Sequence, residues 1–155
     1  MSNKRQQGFT IVELLIVIVV IAILAAITIV AYNGIQAQAK DSERTSDARQ
    51  FAQVVEAYYI DNGFYPPFNN GTIGVALSSW RTANLPSMKD GLMIPPGVTA
   101  ITLVNNKTPT VGEYGYHNDG SCTGTGASAR CTEFGFYWRS DVDGLIKTQL
   151  SLHGQ

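Results

Sequence analysis

The sequence predicts an α+β fold in which one long amino-terminal helix packs against a carboxy-terminal antiparallel sheet of three to four strands. Three observations carry this reading. Residues 14–31 hold thirteen Leu, Ile or Val among eighteen positions. Helix formers continue beyond them into an amphipathic stretch that stops at Asp61-Asn62-Gly63. In the last third of the chain, β-branched and aromatic residues gather between turn residues.

The apolar run comes first. At about −0.3 to −0.6 kcal/mol per residue for insertion, its thirteen large aliphatic side chains supply about −6 kcal/mol, enough to span a bilayer as one helix. Glu13 stands at its start, and a carboxylate inside or at the edge of a membrane segment is functional by default. The preceding residues 1–8 are short and polar, and Lys4 and Arg5 hold them on the cytoplasmic side. An ordinary secretory signal is cut after its apolar region. Here the small residue, Gly8, precedes that region, so a cut there leaves the whole helix on the mature chain with Phe9 as its new amino terminus.

The stretch Lys4-Arg5-Gln6-Gln7-Gly8-Phe9-Thr10-Ile11-Val12-Glu13-Leu14-Leu15 resembles the class III leader and cleavage site of the type IV pilin family, which includes the pseudopilins of type II secretion. The resemblance runs from Lys4 to about Lys40, with a weaker echo at Tyr58-Tyr59-Ile60-Asp61-Asn62-Gly63-Phe64-Tyr65-Pro66. It implies the pilin fold. It also implies a cut between Gly8 and Phe9 by a bifunctional prepilin peptidase, which N-methylates Phe9 while leaving its positive charge in place. The chain departs from many members in carrying Val30 where they have a helix-bending Pro, and Ala22 where they have Gly.

The domain plan follows: residues 1–8 as a cleaved leader, 9–31 as the transmembrane and assembly helix, and 32–155 as a periplasmic or extracellular domain. Within that domain, residues 32–61 read as amphipathic helix. Ala48, Phe51, Ala52, Val55, Tyr58 and Tyr59 fall on one stripe at three- and four-residue spacing, with Glu43, Arg44, Asp47 and Glu56 expected mostly elsewhere. Gly63 and Pro66-Pro67 end the helix. Residues 62–97 hold five of the six prolines and read as a connecting loop, with one short helix or turn around 72–81.

The sheet is expected across residues 98–152, in strands at 98–104, 111–117, 132–139 and 145–152. Tyr114 and Tyr116 alternate onto one face of the second, and Phe134, Phe136 and Trp138 onto one face of the third. These aromatics are expected to pack on the Phe51/Val55/Tyr58 stripe. Asp141-Val142-Asp143-Gly144 supplies the turn that makes the last two strands a hairpin.

Composition limits the chemistry. The net charge of −1 becomes −3 once Lys4 and Arg5 are removed, which excludes the basic excess of a nucleic-acid binder. Cys122 and Cys131 are too few for a disulfide framework but enough for one bridge outside the cytoplasm; two free thiols or a metal site are the other readings. His117 and His153 lie apart from any Cys or carboxylate at ligand spacing. Asp141 and Asp143 are too few for a calcium loop, and the glycines of residues 121–128 have no following Lys or helix pattern, so they read as a flexible loop. No cofactor, metal or catalytic cluster is expected, and the chain is not read as an enzyme.

The functional expectation is a structural subunit of a type IV pilus-like filament. Its helices polymerise with copies of themselves, and the Glu13 carboxylate pairs with the Phe9 amino group of a neighbour to set their register. Its expected partners are itself, the peptidase/methyltransferase, an inner-membrane assembly platform and membrane lipid, with no nucleic acid. It is membrane-held before assembly, with the leader inside and the domain outside, and then stands on the cell surface. The alternative within the family is a pseudopilin or minor pilin of a type II secretion or competence machine, including a filament-tip binding or DNA-uptake role.

Overall fold

The computed structural model describes residues 9–68, 75–118, 122–124 and 129–153. The expected leader, including Gly8, and most of the glycine loop at 121–128 lie outside these residues. The chain divides into two compact units, residues 1–36 and 37–155. Helix α1 (Ile11–Asn62) contributes to both.

In the first unit α1 is apolar all round. No proline interrupts it, and it runs through Ala22, Val30 and Gly34 as one helix. None of its most apolar 18-residue window is buried, and that window has a mean hydropathy of 3.4. By length and composition this segment can cross a membrane.

The second unit begins with the amphipathic part of α1. The helix stops because Gly63 adopts φ +77°, a left-handed conformation that a residue with a Cβ enters at a cost, and its N–H closes on Tyr59 O at 2.7 Å. A second helix, α2 (Val75–Asn84), and a 3-10 turn (Asp90–Met93) follow within the proline-rich stretch. Four strands complete the unit: β1 (Leu103–Val104), β2 (Tyr114–His117), β3 (Gly135–Arg139) and β4 (Ile146–Leu150), in the order β1-β2-β3-β4.

The sheet is mixed rather than purely antiparallel. The β2–β3 and β3–β4 pairs are antiparallel, but β1 runs parallel to β2, with Leu103 opposite Tyr114. The cause is a double reversal between them. Asn106 accepts the Thr108 N–H at 2.9 Å in one turn, and Glu113 N–H bonds Thr110 O at 3.1 Å in the next, with Gly112 at φ +86°. Two reversals return the chain to its starting direction, so residues 111–113 form a turn where the sequence predicted the start of a strand.

The core lies where the stripe of α1 meets the sheet. Ala48, Phe51 and Val55 are fully buried, and the Phe51 ring packs at a tilt against Phe136 and Tyr116, with centroids 4.5 and 5.5 Å away. Tyr114 and Phe136 lie 4.9 Å apart on the same face. The expected packing of strand aromatics on the helix stripe is therefore present. Leu77, Leu85, Met88 and Met93, from the middle of the chain, close the remaining side. On the opposite face of the sheet a Cβ at Gly115 would strike the Asn106 backbone O, so that position admits only Gly, and one at Gly135 would displace the Tyr137 ring.

Candidate assembly site

Phe9, Thr10 and Glu13 open helix α1. The Thr10 backbone N–H and hydroxyl both donate to Glu13 Oε2, at 2.8 and 2.7 Å, and the Glu13 N–H donates to Thr10 Oγ1 at 3.3 Å. This is a capping box: Thr10 caps the helix, and the carboxylate three residues on closes the reciprocal bond. Thr-x-x-Glu ahead of an apolar run is its sequence signature, which the charge reading of Glu13 passed over. Phe9 is 87% exposed, and the side chains from Ile11 to Ile35 project outward without burial in their own unit. The local geometry thus joins an ordered helix start, an acid at its first turn and an unburied apolar surface. Glu13 is held to Thr10.

In the second unit two polar clusters fasten α1 to the sheet, and sequence reading placed their central residues outside the stripe. Arg44 is buried and Glu56 nearly so. The Arg44 guanidinium lies 2.9 Å from Asp41 and 3.1 Å from Asp141. Asp41 also takes the Ser140 hydroxyl and, at 2.9 Å, the Asp141 N–H. Burial pushes the Asp41 carboxyl up, but these donors outweigh burial and hold it below its ordinary value. Glu56 accepts the Tyr65 hydroxyl at 2.9 Å and the Leu152 N–H at 2.7 Å, and His153 Nε2 lies 3.6 Å away. Burial first and Glu56 second push the Tyr65 phenol well above its usual range. A signal was present: Arg44 precedes Ala48 by four residues and Glu56 follows Ala52 by four, so both lie in line with the stripe.

The remaining candidates separate. Asp143 pairs with Lys147 at 2.6 Å while Asp141 faces Arg44, so the two aspartates serve different partners in the turn. Gly144, at φ +71°, and the Ser140 N–H to Leu145 O bond of 2.9 Å make that turn the expected hairpin. His153 stacks on Tyr59 with centroids 4.8 Å apart, and His117 ends β2. Among the described residues no three His, Cys, Asp or Glu side chains converge as metal ligands. Cys122 and Cys131 are joined in a disulfide. The Tyr65 N–H donates to Cys131 O at 2.8 Å, which ties the bridge to the end of α1.

Comparison with known proteins bears on the same segment. The prokaryotic N-terminal methylation motif matches residues 3–29. The chain is 43% identical over 77 residues to a fimbrial protein of Neisseria meningitidis, covering 50% of this chain and 45% of the relative. It is 42% identical over 77 residues to the type IV major pilin protein PilE of Neisseria gonorrhoeae, covering 50% and 46%. It is 29% identical over 91 residues to the type II secretion system core protein G of Aeromonas hydrophila, covering 59% and 64%. The matched region spans about half the length of the first two relatives. No solved structure gives a significant match.

Proposed function

We propose that this chain, a member of the type IV pilin and type II secretion pseudopilin family by its amino-terminal half, is the precursor of a filament's structural subunit. The observation that carries the reading is the junction at Gly8-Phe9: a basic leader, a methylation motif over residues 3–29 and an apolar helix that begins at Ile11 instead of ending before a cut. In this reading a bifunctional peptidase cuts after Gly8 and methylates Phe9. The chain waits in the membrane with its domain outside, and an inner-membrane platform feeds it into a homopolymer or mixed filament at the cell surface. Lipid gives apolar helices no hydrophobic reason to leave it for one another, so assembly depends on shape packing and on Glu13 pairing with the amino group of Phe9 on a neighbour. The subunit reading is favoured over the secretion pseudopilin because the pilin and fimbrial relatives reach 42–43% identity against 29% for core protein G.

The test is the intact mass of the chain in filaments sheared from its own cells, beside a Gly8→Val variant. The wild type begins at methylated Phe9 and dominates the sheared fraction. The variant keeps residues 1–8 and remains in the membrane without filaments, because a β-branched side chain obstructs the cut and Phe9 then has no free amino group. A chain that retains its leader and still assembles, or one cut after the apolar run, overturns the reading.

A further inference from the structure

We propose that Asn106 is an acceptor for N-linked glycosylation, its side-chain amide nitrogen taking a saccharide from a membrane-lipid diphosphate donor. Asn106-Lys107-Thr108 is the Asn-x-Thr acceptor sequence, with no proline at its middle position. The inference rests on the reading that places the domain outside the cytoplasm, and it names a modification of that domain's surface.

A three-residue match recurs by chance, and the geometry is what singles this one out. Asn106, Lys107 and Thr108 are all exposed, in the first of the two reversals between β1 and β2. Asn106 Oδ1 accepts both the Thr108 N–H, at 2.9 Å, and the Thr108 hydroxyl, at 3.1 Å. A backbone N–H can only donate, so it fixes which atom of the carboxamide is the oxygen. A turn of this kind needs the backbone bond alone. Here the hydroxyl converges on the same oxygen, which joins the two groups that the acceptor sequence must contain. Among the described residues Nδ2 makes one hydrogen bond, to Thr108 O at 3.2 Å. It has two hydrogens, so one is left to be replaced and the product amide keeps the other for that bond.

The base of the turn is fastened. Asn105 Nδ2 donates to Phe68 O at 2.9 Å, Arg139 Nε donates to Pro109 O at 3.2 Å, and the Asn106 backbone O lies over Gly115. This puts Asn106 on the face of the sheet opposite α1, where a bulky saccharide displaces no side chain of the core.

In the transfer, Nδ2 bonds to the anomeric carbon of the saccharide. The bond from that carbon to the diphosphate oxygen breaks, the lipid diphosphate leaves with the electron pair, and the amide proton passes to a base of the transferase. A lipid-held donor fits because the turn exists only in the folded domain. A nucleotide-linked sugar in the cytoplasm would meet the chain before its exported domain folds.

The experiment is the intact mass of the full-length chain purified from its own cells, for the wild type beside Asn106→Asp, Thr108→Val and Thr108→Ser. Asn106→Asp keeps the oxygen that closes the turn and removes the acceptor nitrogen, so its melting temperature should match that of the wild type. The wild type is expected to carry one saccharide that survives mild alkali and that peptide fragmentation places on Asn106. That excess mass is expected to vanish in Asn106→Asp and Thr108→Val and to persist in Thr108→Ser. It should also persist in Asn70→Asp, which changes the other Asn-x-Thr sequence, Asn70-Gly71-Thr72, outside the described residues. Protease added to spheroplasts reports the placement of the domain separately. An unmodified wild type whose domain is digested overturns the inference alone, as does a saccharide that survives Asn106→Asp or is released by alkali from a hydroxyl. An unmodified chain whose domain is protected overturns the placement as well.

Discussion

The Arg44 guanidinium of helix α1 lies 3.1 Å from the Asp141 carboxylate of the β3–β4 turn, ninety-seven residues away, with only 2% of its side chain exposed. It also holds Asp41, so a single buried cation separates two carboxylates that would otherwise face each other. The pair ties the hairpin's turn to the helix on which the sheet lies.

Arg44→Met in the detergent-solubilised chain is therefore expected to lower unfolding stability by about 3–5 kcal/mol, because it leaves two partly buried acids facing each other with only the more distant, partly exposed Lys40 beside Asp141. Lys40→Met removes only a 3.9 Å contact to Asp141 from a side chain that is 42% exposed, and is expected to cost less than about 1 kcal/mol. Urea midpoints of the two variants test this, and equal effects would show that the buried pair does not hold the turn.

Acid should act through the same turn. Asp41 has a folded pKa below its unfolded value, so its contribution is present above the unfolded pKa and is lost as pH falls through the folded one. Asp143 behaves alike, its carboxyl held down to about 2 by Lys147 first and by the Leu145 N–H second. Stability should therefore fall from about pH 4 toward pH 2, and Asp41→Asn should flatten that slope. A slope that Asp41→Asn leaves unchanged would refute the assignment.

Asp47 has the opposite sign. Burial raises its pKa despite the 2.7 Å bond from the Tyr114 hydroxyl, so ionising it costs stability as pH rises through the folded value. Asp47→Asn keeps an oxygen for Tyr114 to donate to and removes the charge. Its urea midpoint at pH 7 should equal or exceed that of the wild type, with less advantage at pH 3.

Reducing the Cys122–Cys131 bridge releases a loop with a sequence separation of nine. The loss of chain restriction is worth about 2–3 kcal/mol, and the melting temperature should drop on adding reductant. A Cys122→Ser, Cys131→Ser variant should melt where the reduced wild type does and no longer respond to reductant.

Most of the fold was legible because its periods are strong. Phe51 and Val55 on a helical stripe, and Phe134, Phe136 and Trp138 alternating into and along β3, each mark a face that is buried, although Tyr137 on the other face of β3 is buried as well. The direction of β1 was not legible, since it depends on how many times the chain reverses between Val104 and Tyr114, and hydrophobic alternation carries no such count. The burial of Arg44 and Glu56 was also missed. Position in the stripe marked them, but their charge argued for solvent, and only Asp141, Tyr65 and Leu152, distant in sequence, supply the partners that make burial favourable. At the amino-terminal end, the apolar run was plain, whereas the bond between Thr10 and Glu13 was hidden by reading Glu13 as a charge alone.

That bond makes Glu13 a helix cap beside the pairing proposed for it, and two substitutions divide the cap from the charge. Glu13→Gln retains an oxygen for the Thr10 N–H and hydroxyl, so the capping box persists and the charge is lost. Thr10→Val keeps the backbone donor and the Glu13 charge but removes the hydroxyl that bonds in both directions. If pairing between subunits sets the register, Glu13→Gln should insert into membranes as well as the wild type does and yield few or no filaments. Thr10→Val should fray the first turn, seen as faster amide exchange at residues 11–13, and still assemble. Filament counts beside membrane-inserted protein, read for both variants, decide the matter. Normal assembly by Glu13→Gln with loss of assembly by Thr10→Val would make Glu13 a helix cap and leave its charge without a part in the filament.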